Sequence, residues 1–205
     1  MLLLVACSER SSTGTLIQPT QSSDTAELAT DEHVVVLNSA GWDSERDGPA
    51  GCINDVIHHT DPQIPLYDGD DFRSALYPWF EPGVAPRTEE QLAQLLKRPL
   101  VSEKIAALGI RYVVTMNSGF HTSNAGGDVF PGPPGAVVWA DVQVSLQANV
   151  WDVKEIRSVG SLDTSIAGRN MFILIPPIPI LPATQHEACK DVGHRLAAYF
   201  AGGQQ

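Results

Sequence analysis

Asn117-Ser118-Gly119-Phe120-His121 places a hydroxyl three residues before an imidazole. A serine activated by a histidine base is the starting point of acyl-transfer chemistry, and such nucleophiles sit where a strand meets a loop. No G-x-S-x-G elbow surrounds Ser118, and a triad is defined by geometry rather than by spacing. Ser118 and His121 are therefore the candidates for a hydrolase, and a plain polar loop is the competing reading. His58-His59-Thr60-Asp61 gathers metal-ligand types, yet adjacent imidazoles diverge and no H-E-x-x-H follows. His186-Glu187 leads into Ala188-Cys189-Lys190, which is not that motif either. Asp68-Gly69-Asp70-Asp71 has too few spaced carboxylates for a calcium loop and reads as a helix cap, with acid at the positive end of the helix dipole. The Gly-rich segment 119–135 lacks Gly-Lys-Ser/Thr, so it is no phosphate loop. No metal and no cofactor is expected. Trp79-Phe80 could form a sugar or partner platform, but a plug over one end of a core is favoured.

The 205 residues hold 13 Lys+Arg against 24 Asp+Glu, a net charge of -11. Such a chain repels phosphate backbones and anionic headgroups, which argues against nucleic-acid binding and peripheral attraction to acidic lipid. At 43% hydrophobic residues it can build one core. Its body has no apolar run near the ~18 residues of a spanning helix.

The first residues are Met1-Leu2-Leu3-Leu4-Val5-Ala6-Cys7-Ser8. Leu4-Val5-Ala6-Cys7 resembles the lipobox of bacterial lipoproteins. That resemblance implies cleavage before Cys7, acylation of Cys7 and, with Ser8 following, sorting to the periplasmic face of the outer membrane. It makes residues 1–6 the remnant of a longer signal peptide, since no basic region precedes the apolar run. Residues 8–32 are polar and poor in large apolar side chains, and read with Cys7 as a flexible tether, 7–32. If Cys7 is acylated in an exported protein, Cys52 and Cys189 remain as a natural disulfide pair, with two buried free thiols as the alternative. The bridge would stabilise by roughly 4–5 kcal/mol in the loop-entropy account.

Residues 33–201 read as one α/β domain. His33–Asn38 is a strand buried on both faces. Helices are expected over Cys52–His59 and Asp71–Tyr77. Thr88-Glu89-Glu90-Gln91 is a capping box for a helix bearing Leu92, Leu95 and Leu96, ended by Pro99. Ser102 starts another helix that stops at Gly109, and Ile110–Met116 is a strand. Residues 117–135 read as a long loop. Ala136–Trp139 and Val142–Trp151 are strands. In the second, Val142, Val144, Leu146, Ala148 and Val150 face the core, with Gln143, Ser145, Gln147, Asn149 and Trp151 on the wet side. A turn over Asp152–Glu155 leads into strands Ile156–Leu162 and Asn170–Ile175. Thr184 caps a C-terminal amphipathic helix with Ala188, Val192, Leu196 and Phe200 on one face. The expected class is α/β (α+β), a mixed, largely antiparallel sheet with helices packed on it.

This order of elements, with Arg111-Tyr112-Val113-Val114 after a helix and a hairpin turning at Asp152, resembles the α/β domain of the TolB N-terminal and CsgG-type lipoproteins over residues 88–201. The resemblance implies an envelope assembly or transport accessory without catalytic residues. The expected function is accordingly a non-catalytic, lipid-anchored periplasmic protein that engages the bilayer through its anchor and an envelope protein through its body, with oligomerisation left open. The alternatives are an envelope hydrolase using Ser118 and His121 or the His58/His59 region, and a small-ligand-binding lipoprotein with loop 117–135 as a lid.

Overall fold

The computed structural model describes residues 12–17, 28–38, 48–81, 83–86, 88–129, 136–174 and 183–202. Cys7, Trp42 and the proline run 176–182 lie outside the described residues. The elements are β1 (Ser12–Ile17), β2 (His33–Asn38), α1 (Pro49–Thr60), β3 (Leu66–Tyr67), α2 (Gly69–Ala75), α3 (Glu89–Leu96), α4 (Pro99–Ala107), β4 (Ile110–Val129), β5 (Ala136–Asp152), β6 (Arg157–Leu174) and α5 (Ala183–Phe200). They form a mixed α/β fold around one sheet of order β1-β6-β5-β4-β2-β3. β2 is parallel to β3 and β4. The remaining pairs, β4 with β5, β5 with β6, and β6 with β1, are antiparallel.

The alternation in β5 decides what lies on each face. Val142, Val144, Leu146, Ala148 and Val150 join Val34, Val36, Tyr112 and Val114 under α1 and α5. Val35, Leu37, Val113 and Trp151 face the other way, into Phe72, Leu76 and Phe80 and the leucines of α3. Helices thus cover both faces of the sheet, and Trp151, on the side read as wet, is only 5% exposed because α2–α4 lie over it. The caps follow the side-chain chemistry. The Asp68 carboxylate accepts from the Asp70 and Asp71 N–H groups, and the Thr88 hydroxyl accepts from Gln91 N–H. Pro99, expected only to end α3, stands at the start of α4, where its missing N–H costs nothing. Gly109 turns α4 into β4 at φ 67, and a Cβ there would lie 2.6 Å from the Asp31 carbonyl.

Three expectations are corrected. Residues 117–129 are not a loop or lid: β4 runs on to Val129, paired with β5 through a shift between Ser123 and Gly126. Gly, Ser and Asn have low strand propensity, but ladder hydrogen bonds to a strongly alternating partner override it. Two strands expected between Ile156 and Ile175 are the single β6, held by the same partner. Ser12–Ile17, read as tether, pairs with Ile166–Ser161 as an edge strand, its Thr, Leu and Ile content hidden by the polar average around it. On the α2–α4 face, β4 and β5 therefore extend past the covering helices as an arm, while Val142 and Val144 stay buried on the other face. The arm's β4 side chains from Asn117 to Asn124 are exposed.

α1 and α5 are stapled together. Cys52 and Cys189 form a disulfide, with Cα atoms 6.2 Å apart and a sequence separation of 137. One turn along each helix, a Cβ on Gly193 would lie 2.6 Å from Val56 Cγ1, so only glycine allows this approach.

Candidate functional site

Ser118 and His121 lie on β4 within an unbroken register from Tyr112 to Ser123. Three residues is an odd step along a strand, so the two side chains leave opposite faces of the sheet. The nucleophile–base pair does not form. His58 and His59 are exposed at the end of α1, with ring centroids 6.2 Å apart. His59 Nδ1 contacts the Asp55 carbonyl at 2.6 Å, and the Thr60 hydroxyl lies 3.0 Å from His194 Nδ1. No group of three or more metal-ligating side chains occurs among the described residues. Phe80 is core, edge-on to Phe72 at 4.9 Å, and Trp79 packs beside it with Lys104 Nζ 5.4 Å from its ring centre. Phe80 packs as the plug reading expects, while Trp79 is only partly buried beside it.

The structure assembles a different site. β2 and the start of β4 run parallel, and their carboxyl ends are where open α/β sheets leave crevices. The row Val113 opposite Trp151 is covered by α2–α4. One row further on the helical layer stops short, while the strands continue. The next two rows on that face are Thr115 opposite Asn149, then Asn117 opposite Gln147. They floor a cleft of about 230 Å³, walled by Phe80, Pro86, Glu89 and Leu92.

The walls are braced from behind. Arg73 donates to the Asn38 carbonyl at 2.8 Å and to the Phe80 carbonyl at 3.2 Å, tying the end of β2 to the chain after α2. The Asn38 side-chain oxygen accepts from Ala50 N–H at 2.9 Å in the first turn of α1. Glu89 sits in the first turn of α3, beside the Thr88 cap. The described lining contains carboxamides, hydroxyls, one carboxylate and one guanidinium, and neither histidine, cysteine nor serine. Carboxamides offer paired donors and acceptors at neutral charge. Such an arrangement can hold a small ligand by hydrogen bonds. Sequence reasoning placed Gln147, Asn149 and Trp151 on one face by parity. The missing signal was where the covering helices end.

A charged cluster lies at the opposite end of the strands. Asp152 pairs with Arg111 at 2.5 Å and accepts from the Lys154 and Glu155 N–H groups. Lys154 pairs with Glu32. Burial resists ionisation of Glu32, but hydrogen bonds from Lys154 and the Ala29 N–H outweigh it and hold the carboxyl below its ordinary range. Burial, reinforced by nearby acid, pushes the Tyr112 hydroxyl up despite its contact with Arg111.

No family model matches this sequence. No curated protein does either. Among solved structures, the PelC dodecamer from Paraburkholderia phytofirmans is similar over 94% of this chain and 100% of that one, at 12% identity and a TM-score of 0.41. A point variant of that dodecamer gives 11% identity and 0.42, over 93% and 98%. A neuraminyllactose-binding hemagglutinin homolog from Helicobacter pylori gives 9% identity and 0.34, over 86% and 90%.

Proposed function

We infer that the protein is exported, anchored by acylation of Cys7 at the periplasmic face of the outer membrane, and works by binding another envelope component. The Cys52–Cys189 disulfide is the observation that supports this most. Structural disulfides persist in oxidising compartments and are rare where thiols are kept reduced. The pair also accounts for two of the three cysteines, leaving Cys7 in Leu4-Val5-Ala6-Cys7 as the remaining thiol. A binding role suits a polar cleft without a nucleophile–base pair, and the separation of Ser118 from His121 takes away the hydrolase alternative built on them.

Expression with and without the signal peptidase inhibitor globomycin tests the anchor. The reading predicts accumulation of an uncleaved precursor under the drug, and release of the protein from the membrane fraction in Cys7→Ser. Unchanged processing and unchanged fractionation of Cys7→Ser contradict it.

A further inference from the structure

We propose that the cleft beyond Trp151 binds one neutral sugar unit through the carboxamides of β4 and β5. Its source, an envelope glycan, rests on the exported location inferred above; the binding chemistry does not. At about 230 Å³ the cleft lies below the roughly 300–1,000 Å³ of pockets for drug-sized ligands, so it takes one small ring. Asn117, Gln147 and Asn149 present alternating donors and acceptors in two adjacent rows. A polyol, whose every hydroxyl both donates and accepts, matches that pattern. Pro86, backed by the nearly buried Phe80 and Leu92, supplies the apolar wall that the C–H face of a ring requires.

Charge removes the competitors. Arg73, the cation of the described lining, spends N–H groups on the Asn38 and Phe80 carbonyls and is matched in sign by Glu89, so the described lining carries no net charge to hold a carboxylate. A phosphorylated or acidic ligand meets Glu89 at the wall and a chain of net charge -11. A neutral ring meets neither obstacle.

The test is a titration of the purified full chain, disulfide intact, with N-acetylglucosamine, glucose and galactose, with glucuronate as the anionic arm. The readout is the NMR side-chain amide signals of Asn117, Gln147 and Asn149. The proposal predicts saturable shifts for at least one neutral sugar, with dissociation constants on the order of millimolar. Glucuronate, and the neutral sugar against Gln147→Ala and Asn149→Ala, should each bind about tenfold more weakly. Thr122→Ala, out on the arm, should bind as wild type. Should either floor variant unfold, the exposed Asn117→Ala takes its place. Absence of saturable shifts with all three neutral sugars overturns the proposal. So does glucuronate binding as tightly, or unchanged affinity in the floor variants. None of these results bears on acylation of Cys7, and failure of acylation leaves the titration standing.

Discussion

Asp152 closes the turn between β5 and β6 while 1% exposed. One of its carboxylate oxygens accepts from two backbone N–H groups and the other pairs with Arg111. Removing one partner of a buried pair leaves the other charge uncompensated. Asp152→Ala should therefore cost about 3–5 kcal/mol, read as a lowered urea midpoint. A change under about 1 kcal/mol, the worth of an exposed pair, contradicts this account of the turn. Glu32 gives the pH dependence its sign. Its folded-state carboxyl ionises below the ordinary range, so its contribution is complete above that range and is lost as pH falls through the lowered value. Wild type should exceed Glu32→Gln in stability at neutral pH. The gap should narrow as pH falls below the ordinary carboxylate range and close once it is below the lowered folded-state value. A gap independent of pH across an acid titration contradicts the assignment.

Between α1 and α5 the contact is close because Gly193 has no side chain, and it is permanent because Cys52 and Cys189 are bonded. With a sequence separation of 137 between the cysteines, the double variant Cys52→Ser, Cys189→Ser should lose roughly 4–5 kcal/mol in denaturant unfolding. Reductant should lower the wild-type midpoint and leave the variant unmoved; equal sensitivity of both contradicts the staple. The elements that could be read from sequence are those whose signals are local. Asp68 and Thr88 cap where their side chains predict, and β5 buries the five residues its alternation selects. The extent of β4 was hidden because Gly119, Asn124 and Gly126 look like loop residues, and only pairing with β5 makes them strand. The same misreading put Ser118 beside His121. Once the segment is a strand, a spacing of three separates them. The cleft was illegible for another reason: it depends on where α2–α4 stop over the sheet.

At roughly 3.3 Å per residue the 20 residues of β4 span about 65 Å, and on the α2–α4 face the side chains beyond Val113 and Trp151 leave the helical cover. That mismatch between a long sheet and a short helical layer produces both the cleft and the arm. Beyond Met116 on β4 and beyond Ile166 on β6, the outer strand edges have no partner strand among the described residues. Everything about where such a molecule works turns on Cys7. Peptide mass spectrometry of protein recovered from cells, with thiols alkylated before reduction, tests this most directly. The account predicts an acylated N-terminal peptide beginning at Cys7, with Cys52 and Cys189 protected from alkylation. An unmodified peptide running through Leu4-Val5-Ala6-Cys7-Ser8, with Cys52 and Cys189 alkylated in the soluble fraction, would contradict it.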